Sequence, residues 1–305
     1  MPFRSLGKVA ASAVLAALAS GAQSAVVYSL ANDGTSLVRF DSAAPGAVTA
    51  LGAISGATTR LNGLDFRPAN GFLYGFSQAT SGIYRVDTGS GTTTLVSTST
   101  APVTTDLLGI DFNPVPDRLR VVTVNDENRR INVDNGVVPL PLDGTLAYSP
   151  GDVNFGRNPN IIDAGYTNSD RNPGTGTTLY YIDHVLDTLV RATGNPNDGM
   201  LTTVGSLGFD TNDSRFTGFD IFTDLNGANT AFASLQVGGI DGLYTINLVT
   251  GSATPLGVIG ATNLFGLAVA PVPEPGSLAL VAAAGLAAFG IRRRSAPASG
   301  GPTAA

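Results

Sequence analysis

A six-residue phrase recurs along this chain and limits its possible folds more than any other feature. Leu61 to Phe66 (LNGLDF) returns as Leu107 to Phe112 (LLGIDF) and as Phe216 to Ile221 (FTGFDI). Asp163 to Thr167 (DAGYT) is a weaker copy, and Leu264 to Val269 (LFGLAV) is a last copy without the acid. The glycines of these phrases (Gly63, Gly109, Gly165, Gly218, Gly266) stand 46, 56, 53 and 48 residues apart. Strand-like runs follow each phrase. In one unit they are Phe72 to Phe76, Ile83 to Val86 and Thr92 to Val96. In the last they are Thr230 to Leu235, Leu243 to Ile246 and Ala253 to Leu256. Polar turns punctuate them, as at Val86 to Gly89, Val133 to Gly136 and Leu248 to Gly251. A period near fifty with about four short strands per unit is the signature of a propeller blade.

The partial units at the two ends define the ring. Val26 to Ile54 holds three strands and lacks the glycine strand, whereas Leu264 to Val269 is a glycine strand with no unit after it. Together they complete one blade, which leaves no exposed edges at the seam. The expectation is therefore an all-β, five-bladed propeller-like ring closed by its N- and C-terminal strands. A pair of β-sandwiches would explain the strands but not the split repeat.

Composition supports this and excludes other classes. Between Val26 and Val272 there are 12 Arg, no Lys, 21 Asp and one Glu, a net charge of −10. Asp suits tight turns, whereas Glu suits helices. The whole chain of 305 residues carries −6, which argues against nucleic acid as a partner. With no Cys and one His, it offers no disulfide framework, thiolate metal site or cysteine nucleophile.

Both ends read as targeting segments. Arg4 and Lys8 precede the apolar run Val9 to Leu18, and small residues at 20–24 suit a peptidase. Residues 1–25 are thus expected to be a helical signal peptide cut by signal peptidase. Near the other end, Pro273, Glu274 and Pro275 precede an uncharged run, Ser277 to Ile291, and then Arg292, Arg293 and Arg294. Arginines after a short apolar helix form a stop-transfer pattern. Fifteen residues are short for a permanent span, so transient anchoring in the inner membrane is expected. A plain single-pass anchor is the alternative.

This end, residues 272–294, resembles the PEP-CTERM sorting signal of Gram-negative bacteria. The resemblance implies processing by an exosortase, delivery to the cell surface or medium, and association with exopolysaccharide production. The last residues, 295–305, read as a disordered tail that runs on past the arginines. The repeat region, 26–271, also resembles a secreted bacterial family known only as domain of unknown function 4394. Gly63 to Tyr74 (GLDFRPANGFLY) and Leu243 to Gly251 (LYTINLVTG) carry that likeness. It implies no activity.

Three acids repeat with the phrase: Asp65, Asp111 and Asp220. If their strands are innermost, the carboxylates approach the ring axis. Three roles are open to them. They could accept hydrogen bonds from loops or from Arg67, Arg118 or Arg215, each near in sequence. They could hold calcium through oxygen ligands. They could serve as the acid and base of a glycoside hydrolase. The first role is favoured because repeated residues usually serve the repeat. Asp210 to Asp213 and Asp224 to Gly227 resemble incomplete calcium loops, and His184 reads as a turn residue rather than a base. Irregular stretches at 148–160 and 171–176 are the first places to look for a recognition face. The resulting expectation is an exported, non-enzymatic surface protein that needs no cofactor and binds matrix polysaccharide or a surface protein. A secreted carbohydrate-active hydrolase and a purely structural envelope protein are the alternatives.

Overall fold

The computed structural model describes residues 24–170, 172, 174–211 and 215–272. Residues 1–23 of the expected signal peptide, the sorting motif from Pro273, the apolar run, the three arginines and the tail lie outside the described residues. So do parts of the 171–176 and 210–213 stretches. No helix among the described residues is long and apolar enough to cross a membrane.

The strands form five sheets arranged as the blades of a propeller. In chain order the first blade contributes β1 (Val26–Ala31), β2 (Ser36–Asp41) and β3 (Ala44–Ala53). The second holds β4 (Ser55–Gly56), β5 (Gly63–Phe66), β6 (Leu73–Ser77), β7 (Gly82–Val86) and β8 (Thr92–Thr98). The third holds β9 (Leu108–Asn113), β10 (Arg118–Thr123) and β11 (Asn128–Ile131). The fourth holds β12 (Ala147–Tyr148), β13 (Ile161–Tyr166), β14 (Leu179–Asp183), β15 (Thr188–Ala192) and β16 (Met200–Ser206). The fifth holds β17 (Thr217–Thr223), β18 (Asn229–Val237), β19 (Ile240–Ile246) and β20 (Ala253–Val258). The last strand, β21 (Phe265–Val269), returns to the first blade.

The seam closes as the split repeat requires. β21 pairs antiparallel with β1, placing Val27 opposite Val269 and Ser29 opposite Leu267. The Ala270 N–H adds a bond to the Val26 carbonyl at 2.8 Å. Antiparallel pairing at the seam satisfies backbone groups that an open edge would leave bare.

Burial falls from the axis outward, and the sequence of each strand reflects it. The inner strands β5, β17 and β21 are buried at every residue, with neighbouring blades on both faces. The outer strand β8 (TTTLVST) is mostly exposed and rich in Thr, which suits a pleated surface facing water. Each interface between blades has its own apolar cluster. Leu30, Leu61 and Leu64 fill the one between the first and second blades, and Phe76, Ile110 and Phe112 the next. Hairpin turns use a left-handed glycine where the chain reverses. At Asp87–Gly91, Gly91 has φ +77° and donates to the Asp87 carbonyl at 2.9 Å. Glycine populates this backbone region without steric cost.

The third blade departs from the expected four strands and has three. The chain after β11 carries Pro139 and Pro141, which cannot donate to a ladder. Side chains tie this segment down instead. Arg120, 2% exposed, donates to Asn128 Oδ1 at 2.8 Å, Asn197 Oδ1 at 2.7 Å and Tyr166 Oη at 3.2 Å, and it pairs with Asp143. Arg130 bonds the same Asp143 at 3.0 Å. A second departure is that the two-residue strands β4 and β12 run parallel along the outer edges of the second and fourth blades.

Candidate functional site

The repeated phrase places an aspartate on four of the five inner strands. Asp65, Asp111 and Asp220 each stand two residues after their glycine, and one carboxylate oxygen from each lies within 4.8 Å of the others. Asp163 is the member that sequence comparison missed. It precedes Gly165 by two residues, so the alignment on glycine hid it, although the acid itself was visible in the weak copy. The fifth inner strand has Ala268 at the equivalent position.

Each carboxylate joins its blade to the next one. Asp65 Oδ2 accepts the Phe112 N–H at 2.7 Å, and Asp111 Oδ1 accepts that of Tyr166 at 3.2 Å. Asp163 Oδ2 accepts the Phe219 N–H at 2.8 Å, and Asp220 Oδ2 accepts that of Val269 at 2.6 Å. The last bond reaches the strand that closes the ring. The chain of links runs through four interfaces and stops at Ala268. There the Phe66 N–H is taken by Asp65 Oδ1 on its own strand, at 2.6 Å.

The arginines near these acids in sequence go elsewhere. Arg67 binds Asp117 at 2.6 and 2.8 Å and Asp134 at 2.8 Å. Arg118 donates to the carbonyls of Pro116 and Asp117. Arg215 pairs with Asp33 and Asp106. The acids therefore meet backbone N–H groups rather than these arginines.

Burial raises the proton affinity of all four. Loss of water is the leading cause in each case. Asp220 is pushed up to about 6, and Asp65, Asp111 and Asp163 rise well above the ordinary carboxylate range. Repulsion from Asp220 adds to the rise at the other three, while the backbone N–H bonds oppose it. Like charges this close favour a retained proton.

The space beside the cluster is small. Asp65 and Asp220 border a cavity of about 20 Å³ together with Phe66, Pro68, Ser169 and Pro271. That is room for one water or one small ion, and a sugar ring does not fit. Calcium takes six to eight oxygens, and four of the six that Asp65, Asp111 and Asp220 carry already accept a backbone N–H. The N–H donors already bonded to these carboxylates compete for the same lone pairs.

The other predicted features lie apart from the cluster, on the fourth and fifth blades. His184 is 7% exposed, with its N–H on the Asn160 carbonyl and its own carbonyl accepting from Thr211. Asp224 closes a turn through the N–H groups of Asn226 and Ala228. In the 148–160 stretch, Asp152 anchors the loop to Thr203, leaving Val153 and Phe155 84% and 59% exposed.

A much larger recess, about 740 Å³, opens between the first and second blades. Tyr28, Phe72, Arg85, Asp87 and Thr92 are among its walls, and Phe66 and Pro271 border both it and the small axial cavity. The Arg85 guanidinium lies 3.5 Å over the ring of Phe72. Sequence reading missed this recess because its walls come from separate strands and a turn, with no motif linking them.

Comparison with known proteins yields two family matches. Residues 36–268 match the family described as Domain of unknown function (DUF4394), and residues 271–294 match the PEP-CTERM protein-sorting motif. No curated protein matches the chain. Solved structures of similar shape include a candidate 6-phosphogluconolactonase from Bacteroides uniformis, 14% identical, with a TM-score of 0.42 over 78% of this chain and 83% of that one. A protein of unknown function from Bacteroides thetaiotaomicron is 16% identical, with a TM-score of 0.44 over 75% of this chain and 57% of that one. Hydrazine synthase of Kuenenia stuttgartiensis is 12% identical, with a TM-score of 0.38 over 67% of this chain and 51% of that one.

Proposed function

Since the chain belongs to the family described as domain of unknown function DUF4394 and carries a PEP-CTERM protein-sorting motif, we propose that it is a non-enzymatic envelope propeller that binds matrix polysaccharide. The motif implies export, sorting to the envelope and processing by an exosortase. In this proposal the apolar run and Arg292 to Arg294 anchor the precursor only until that cut is made.

One observation carries the non-enzymatic part. The acids that could have formed a hydrolase centre are at most 4% exposed, and each is committed to an N–H of the next blade. A glycosidase needs two carboxyl groups flanking a bound sugar, with one of them free to transfer a proton to it. Here the carboxylates serve as staples between blades, and neither calcium nor another cofactor is required.

The test is a broad polysaccharide panel assayed for both retention and turnover. The proposal expects retention of at least one polymer and no hydrolysis. Hydrolysis that disappears in Asp65→Asn or Asp111→Asn would establish the enzyme instead. A protein that neither retains nor cleaves any matrix component would leave a structural envelope role.

A further inference from the structure

We propose that the recess between the first and second blades is a binding subsite for a neutral oligosaccharide. The inference rests on the polysaccharide-binding reading and deepens it by naming the place and the ligand chemistry. Two features make the recess suitable. Its volume, about 740 Å³, is in the range of small-ligand sites, unlike the axial cavity. Its walls also combine apolar faces with hydroxyl-rich polar groups, as an amphipathic sugar requires.

Phe72 is 42% exposed at the wall, and the part of its ring that Arg85 leaves uncovered supplies apolar surface for the C–H groups of a sugar. The Arg85 guanidinium, 3.5 Å over the centre of that ring, brings cationic donors beside the apolar surface. Asp87 supplies an acceptor. Its carboxylate is fixed by the Gly89 N–H at 3.0 Å and the Ser90 hydroxyl at 2.8 Å. Thr92 and Thr94 add hydroxyls that both donate and accept. A vicinal diol needs one donor and one acceptor side by side, which Arg85 and Asp87 provide.

Charge selects the neutral class. Asp87 offsets Arg85, and the domain as a whole is strongly acidic. A polyanion approaching this surface meets net repulsion, whereas a neutral glycan does not.

Isothermal titration of the exported protein, as the cell makes it, tests the assignment. The probes are maltohexaose, cellohexaose and laminarihexaose, with polygalacturonate as the acidic comparison. At least one neutral hexaose binds, and Phe72→Ala and Arg85→Gln each weaken it about tenfold or more. Phe155→Ala, on the fourth blade, leaves binding unchanged. Circular dichroism confirms that each variant folds. If a neutral hexaose binds equally well to both recess variants, the site is wrong while the polysaccharide reading stands. Preference for polygalacturonate overturns the neutral assignment. Failure of every probe overturns the subsite, and failure of native matrix to be retained as well removes the wider reading.

Discussion

Replacing Asp220 with Asn should stabilise this protein near neutral pH and have little effect in mild acid. The argument starts from the buried carboxyl, whose folded-state pKa is about 6 against an ordinary value of 3.8. A raised folded value means that the unfolded chain releases its proton first as pH rises. Stability linked to this group is therefore full below about pH 4, falls between about pH 4 and 6, and stays reduced above that. A shift of roughly two units corresponds to about 3 kcal/mol at neutral pH. Asparagine keeps an oxygen for the Val269 N–H and removes the charge. Its other terminal atom becomes an NH2, which cannot accept the Ile221 N–H that the carboxylate now takes, a loss of about 1 kcal/mol. The expected net gain is about 1–2 kcal/mol near pH 7.5, and zero or a slight loss near pH 4. The change should be read by urea unfolding, followed by circular dichroism or tyrosine fluorescence, since the chain has no Trp. A clear loss of stability at neutral pH would refute the reasoning. It would mean that the ionised carboxylate is required, as it would be for a bound cation.

Other outcomes follow from the same structure. Asp163→Ala strands the N–H groups of Phe219 and Ala164, which it now bonds at 2.8 and 2.9 Å. The loss should be about 2–4 kcal/mol in the same unfolding assay, with Asp163→Asn recovering part of it. Arg120→Met leaves Asp143, whose side chain is 4% exposed, with Arg130 as its one cationic partner among the described residues. It should cost about 3–5 kcal/mol and increase proteolysis of the 137–146 segment. Mass spectrometry of the surface form should find a C-terminus from which Arg292 to Arg294 have been removed. Retention of all three would count against exosortase processing.

The ring was readable because its signals are local and repeated. Glycine spacing marked the inner strands, and the unpaired first and last pieces marked the seam between β1 and β21. The three-stranded third blade was less legible. Pro139 and Pro141 warned against a fourth strand, but the Arg120–Asp143 network that replaces it joins residues far apart in sequence. Asp163 was obscured by an offset within its strand. The acids' proximity to the axis could be anticipated, but their partners could not. The link from Asp65 to Phe112 spans two blades, and a backbone N–H has no sequence signature. The recess at Phe72 and Arg85 was invisible for a related reason, since only the folded ring brings Tyr28 and Pro271 to its walls.

The most direct test is the carboxyl ¹³C titration of Asp65, Asp111, Asp163 and Asp220 in the folded protein, with and without excess calcium. A staple role predicts that all four hold their protons above the ordinary carboxylate range and ignore the metal. Low titration midpoints, or signals that move when calcium is added, would show charged acids gathered around an ion.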